Sequence, residues 1–252
     1  DNVLIGGFIL QGSNPKKVII RALGPSTGIV GALANPKIEL RAGDGSPITS
    51  NDNWKINAQT GVSQEAAIRA TTIPPSNDLE SALIATLPAN NSAYTVIVSG
   101  ADGGTGIGLV EVYDLDPPGP NISKLANIST RGFVGTNNNV LIGGFIISGP
   151  QTKTVVIRAL GPSLANQNVP GPLANPTLEL RNGNGDLLQS DDNFNNPPPG
   201  SDNTQIYTYS LQPPNAMESA LAPVLAPGAY TAIVRGVNNT TGIALIEAYG
   251  VL

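Results

Sequence analysis

Tyr94, Val96 and Val98 alternate with Thr95, Ile97 and Ser99, a period of two that places aromatic and β-branched side chains on one face of a pleated strand. Short apolar runs of the same kind recur at residues 3–10, 17–23, 37–41, 79–87, 93–99 and 107–115, each closed by Gly, Pro, Asn or Asp. Each run predicts a strand. Helical periodicity is weak throughout. Residues 64–70 have room for a turn or two of helix, but their counterpart 203–210 carries alternating Tyr207 and Tyr209, so both segments are expected to be extended. Asp44-Gly45, Asn184-Gly185 and Gly103-Gly104 supply the positive φ of primed turns and predict a hairpin at each place. Gly24-Pro25, Gly161-Pro162, Pro74-Pro75 and Pro213-Pro214 bound strands, because proline cannot sit in a central ladder.

The pattern is written twice. NVLIGGFILQGSNPKKVIIRALGPS begins at Asn2 and NVLIGGFIISGPQTKTVVIRALGPS at Asn139, an offset of 139 − 2 = 137 residues. The likeness runs on through SNDNW and SDDNF, LESAL and MESAL, and the closing AYTVIV and AYTAIV segments. Each copy has the length at which a chain buries its own core, so the duplication predicts two domains in tandem and not the thin repeats of a solenoid. Residues 1–115 form the first expected module and 127–252 the second. Residues 116–126 are the linker, stiffened by Pro117, Pro118 and Pro120. Residues 128–134 have strand character and precede the second NVLIGGFI, so they are expected to open module two through a turn at 135–139. The first copy has no such strand. With roughly eight strands per module and no crossover helices, the fold class is all-β: two tandem antiparallel β-sandwiches.

Composition narrows the chemistry. The chain has no cysteine and no histidine, which removes disulfides, thiolate sites and the commonest general base and transition-metal ligand. Its 13 Lys+Arg against 18 Asp+Glu give a net charge of −5, which argues against nucleic acid as a partner. No apolar run approaches the roughly 18 residues of a membrane-spanning helix, so membrane insertion is not expected. Asp1-Asn2-Val3 does not open a secretory signal, and the expectation is a mature or trimmed segment.

The stretch from IELRAGDGSPITSNDNW to AYTVIVSGADGGTGIGLVEVYDL resembles the bacterial pre-peptidase C-terminal (PPC) domain. The shared features are a strand ending in a D-G turn, an Asn-Asp cluster, a Ser-Ala-Leu strand and a Gly-Gly-Thr-Gly turn. The whole duplicated unit also resembles repeats of long secreted bacterial proteins. These resemblances imply a jelly-roll-like, calcium-associated sandwich in a secreted or cell-surface protein, and neither implies catalysis.

Asn51, Asp52 and Asn53 before Trp54, and Asp191, Asp192 and Asn193 before Phe194, gather hard oxygen donors of the type Ca2+ takes. Asp78 and Glu80 in the first copy and Glu218 in the second add carboxylates if the loops meet. The candidate metal set is therefore Asp52, Asn53, Asp78, Glu80, Asp192, Asn193 and Glu218. The same residues are ordinary turn formers, and that alternative stays open. Arg21 and Arg158 lie inside apolar strands, as do Glu39, Glu179, Glu111 and Glu247, and an arginine–glutamate pair within each module is expected.

No residue set identifies a reaction, so the expected role is structural: a subunit of an extracellular fibre, stalk or adhesin. Val3–Leu10 is an almost uncharged run without proline, the kind of edge that pairs with another chain, so self-association into head-to-tail polymers or with neighbouring repeats is expected. The alternative is a carbohydrate-binding accessory module, with Trp54, Tyr94, Tyr113, Tyr207, Tyr209, Tyr230 and Tyr249 as a glycan-stacking platform.

Overall fold

The structure is a computed structural model and describes residues 3–117, 123–197 and 203–251. It is mostly β. The first copy forms β1 (Leu4–Gln11), β2 (Lys16–Leu23), β3 (Pro36–Ala42), β4 (Pro47–Asn51), a short helix α1 (Glu65–Arg69), β5 (Ser81–Leu87), β6 (Ser92–Gly100) and β7 (Leu109–Asp114). The rest forms β8 (Lys124–Val134), β9 (Leu141–Ile147), β10 (Lys153–Leu160), β11 (Pro176–Asn182), β12 (Leu187–Asp191), helix α2 (Thr204–Thr208), β13 (Ser219–Leu221), β14 (Val224–Leu225), β15 (Gly228–Gly236) and β16 (Gly242–Val251). By backbone hydrogen bonding the strands fall into three antiparallel sheets. Two compact units divide at Ala126/Asn127.

In the first unit the strand orders are β4-β3-β6-β1 and β5-β2-β7. Alternate residues of both sets meet in one core, where Phe8, Val18, Ile20, Ile38, Leu83 and Val96 are at most 4% exposed. Burial of each such side chain contributes about 1.5–3 kcal/mol, which is what holds the two sets together. Val96 and Val98 point inward as their alternation predicts. β2 does not alternate, because Val18 and Ile20 face this core while Ile19 faces a second cluster with Trp54, Ile68 of α1 and Ala82. A strand covered on both faces reads as an unbroken apolar run, and VII is that run.

The second unit repeats this with β12-β11-β15-β9 and with β10 between β16 on one side and β13 and β14 on the other. It adds one strand. β8 pairs with the free side of β16, from Asn127 opposite Tyr249 to Val134 opposite Gly242. The turn expected at 135–139 forms, with Gly135 N donating to Asn139 O at 2.6 Å, but it delivers the chain to β9, which pairs with β15 and not with β8. Before it reaches the second unit, this segment serves the first. Ser123 Oγ accepts from Asn14 N at 3.0 Å and donates to Asn14 O at 2.6 Å, and Leu125 packs on the first unit's core.

The fold departs from the sequence pattern in several places. The segments at 64–70 and 203–210 are helical, because each has only one side chain to bury, Ile68 or Ile206, and a single helical turn suffices for that. Tyr207 and Tyr209 are 51% and 36% exposed, so their alternation marks no strand face. At Asp44-Gly45 and Asn184-Gly185 hairpins form, but only the glycine takes positive φ (83° and 88°), and the register slips at Leu40/Arg41 and Leu180/Arg181. These are type I turns closed by a glycine bulge, not primed turns. Gly103-Gly104 makes no hairpin: β6 pairs with β1 and β3, whereas β7 pairs with β2, so the turn transfers the chain between sheets. β4 and β12 were not foreseen, since PITSN and LLQSD are short edge strands with little apolar alternation.

Candidate functional site

Glu80 and Glu218, two of the candidate metal ligands, are fully buried and committed elsewhere. Glu80 Oε1 accepts from Gly24 N at 2.9 Å, Ser26 N at 2.9 Å and Ser26 Oγ at 2.6 Å, while Oε2 accepts from Asn77 N at 3.3 Å. Glu218 does the same with Gly161 N, Ser163 N, Ser163 Oγ and Asn215 N. A buried carboxylate is tolerated when several N–H groups replace its water, and here the N–H groups come from the sharp RALGPS bend that ends β2 or β10. Each glutamate staples that bend to the segment leading into β5 or β13. The signal was present in the sequence, since both copies keep the Glu of LESAL or MESAL together with the Ser of GPS.

The other candidates are dispersed. Asp78 pairs with Lys55 at 2.7 Å and its side chain is 71% exposed. Asp52 Oδ1 lies 3.2 Å from the Asn35 side-chain amide, which donates to it once the amide is turned with its NH2 toward Asp52, and the neighbouring Asn51 Oδ1 accepts from Ala58 N at 3.0 Å. Asp52 Oδ1 and Asn51 Oδ1 thus have partners within the protein. In the second unit Asp191 replaces Asn51. Its Oδ2 accepts from Ala220 N at 2.9 Å, but Oδ1 and the nearby Asn193 Oδ1 are buried without a partner. Burial pushes the Asp191 carboxyl above its ordinary value, against the pull of the Ala220 and Asp192 N–H groups. These two orphan oxygens are of the hard kind that calcium takes. Among the described residues no three acidic, histidine or cysteine side chains are grouped around one point.

The expected arginine–glutamate pairs are present. Arg21 lies directly opposite Glu111, and Arg158 opposite Glu247, across adjacent strands. Arg21 Nε donates to Glu111 Oε2 at 2.9 Å, and Arg158 Nε to Glu247 Oε2 at 3.0 Å. Each guanidinium also donates to a carbonyl of the segment covering that face, Ile73 O or Leu211 O, and lies 5.4 or 5.3 Å from the ring of Tyr113 or Tyr249. Burial is the main reason the Tyr249 phenol is pushed up to about 12, and the Glu247 charge adds to it. Glu39 and Glu179 pair with Arg41 and Arg181. Trp54 and Tyr94 are buried, 1% and 5% exposed, so they offer no stacking face to a glycan.

The largest difference between the units lies at the strand edges. β7 ends its sheet, whereas the equivalent β16 is covered by β8. The consequence is visible residue by residue: Ile107 and Leu109 are 44% and 42% exposed where Ile243 and Leu245 are half-buried, and Val110 is half-buried where Ile246 is 2% exposed. β9 likewise ends its sheet and exposes Ile142 (53%) and Ile146 (66%), whereas Ile5 and Ile9 of the equivalent β1 are half-buried.

No protein-family model and no curated protein sequence matches the chain. Among solved structures it is similar to the crystal structure of PBCV-1 VP54 fitted into a cryo-EM reconstruction of the virophage Sputnik, at 9% identity and a TM-score of 0.23, over 98% of this chain and 93% of that one. A quasi-atomic model of the PBCV-1 virus capsid is similar at 9% identity and a TM-score of 0.20. Likeness at this level carries neither fold nor function across. Among the described residues no helix is long and apolar enough to cross a membrane.

Proposed function

We propose that this chain is building material: a secreted or cell-surface protein whose two units are antiparallel β-sandwiches of the jelly-roll or pre-peptidase kind. They assemble head to tail through sheet edges into a fibre, stalk or adhesin. The observation that carries this reading is a pair of sheet edges, β7 in one unit and β9 in the other, that no strand covers among the described residues. Neither β7 nor β9 contains lysine or proline, the residues that blunt an edge against pairing. The two edges are not equivalent, and a contact between unlike surfaces gives an open filament unless its rotation closes a ring, so filaments are the expected product. Electron microscopy and sedimentation of the purified chain at rising concentration test it. Fibres or a ladder of oligomers support the reading; particles that stay monomeric at high concentration, or turnover of a substrate, overturn it.

The calcium expected of the pre-peptidase likeness is carried, in this reading, by the second unit, through the oxygens of Asp191, Asp192 and Asn193. A chelator should lower the melting transition of the second unit and leave that of the first in place, because only an ion bound to the folded form stabilises it.

A further inference from the structure

The chain shows in its second unit how the bare edge of its first is meant to be completed. β16 and β7 are equivalent strands, with Glu247 and Tyr249 matching Glu111 and Tyr113 in their pairing to β10 and β2. On β16 the outer neighbour is β8, whose Ile128, Thr130, Gly132 and Val134 lie opposite Ala248, Ile246, Ala244 and Gly242. Ile246 and Ala244 belong to the second unit's core, so β8 acts as a wall of that core. Among the described residues no strand takes this place beside β7, and Val110 and Val112 are only partly buried against their core.

The described residues hold two edges of this type, β7 and β16, and one strand of the β8 type to fill them. We infer, resting on the assembly reading above, that β7 accepts an antiparallel strand of the β8 pattern supplied by a further copy of the same repeat. The register follows from β16: the donor's Asn127, Ser129, Arg131 and Phe133 equivalents lie opposite Tyr113, Glu111, Leu109 and Ile107. Charge does not oppose this choice: Glu111 and Asp114 of β7 are paired with Arg21 and Lys16, and β8 carries Lys124 and Arg131 and no acid. The donor's inward face is small or apolar at alternate positions, which suits the gap beside Val110 and Val112. Main-chain hydrogen bonds supply the affinity and this alternation the specificity, as in strand addition generally.

The chain has no cysteine, so a single introduced thiol reports register cleanly. The experiment uses the full chain carrying Leu109→Cys and a synthetic peptide of Ser123–Val134 carrying Arg131→Cys, under mild oxidation, with cross-links read by mass spectrometry. Directly opposed strand residues fall within disulfide reach, whereas four positions off register they do not. The expected result is a cross-link at least about tenfold more abundant than with a peptide carrying Asn127→Cys. Ile107→Cys with Phe133→Cys is the second in-register pair and covers the case in which Leu109→Cys folds poorly. No peptide uptake, equal cross-linking at both peptide positions, or disulfide dimers joining two copies of the Leu109→Cys chain would each overturn the inference. Fibres that grow without any cross-link at position 109 remove this edge while leaving the structural role standing. A monomeric chain that captures the peptide in register supports the edge and removes the fibre.

Discussion

Single side chains in this protein settle questions of a few kcal/mol, and the two copies act as controls for one another. Asp191 occupies the place where Asn51 donates Nδ2 to Ala82 O at 2.8 Å and to Asn53 O at 3.1 Å, so a carboxylate there faces groups that want a donor. The folded-state pKa is raised above the ordinary 3.8, which means the folded form holds the proton more tightly. That stabilisation is complete below the ordinary value and is lost as pH rises through the raised one. In chelator, Asp191→Asn should therefore raise the melting temperature of the second unit at pH 7, by a contribution of about 1–3 kcal/mol, and bring no gain near pH 3. Calorimetry at the two pH values checks it. Glu80→Ala should do the opposite to the first unit, costing at least about 3 kcal/mol, because it leaves the buried Gly24 N–H and its companions without an acceptor. Denaturant titration should find the second unit's transition unmoved.

Elements here are placed less by propensity than by how tightly loops pass one another. Gly24 ends β2 where a Cβ would lie 1.9 Å from Leu33 O, and Gly161 repeats this at 2.2 Å from Leu173 O. No rotamer change relieves a clash with backbone. Gly24→Ala is expected to unfold the first unit or to lower its stability by more than about 3 kcal/mol, whereas alanine at Gly45, where nothing lies within 4 Å, should cost only the strain of its φ of 83°. Thermal melts of the two variants separate close approach from conformational freedom. α1 and α2 make the complementary point: five residues with one buried isoleucine form a helix because a covering segment must turn over the outer face of β2 or β10, not because the local sequence favours it.

For the whole molecule, the question is what completes the sheets. Leu109 is 42% exposed on the uncovered strand, so a lysine there should leave the fold intact while charging the edge. Leu109→Lys is expected to abolish oligomers with the melting temperature of the first unit within about 2 °C of the parent, a change of at most about 0.5 kcal/mol. Sedimentation velocity on both proteins checks this. Oligomers that persist unchanged would move assembly to β9 or away from sheet edges altogether.

Much of this was written along the chain, because strand periodicity, proline and glycine punctuation and an internal copy are all local signals. They disclosed the strands β1, β2, β3, β5, β6 and β7, the duplication and the opening strand of the second copy. That Arg21 pairs with a glutamate of its own unit was legible as well, since a charge inside an apolar strand must find a partner, but the choice of Glu111 over Glu39 was not. What stayed hidden depends on groups far apart in sequence. Glu80 looked like a metal ligand until the bend at Gly24–Ser26 was folded onto it, 54 residues away. Gly103-Gly104 looked like a hairpin until β6 and β7 were assigned to different strand sets. The strand character of 128–134 was legible, but only its pairing with β16 shows which edge a strand of this kind covers. Local sequence sets what each segment can become, and the shared core decides which distant segments meet.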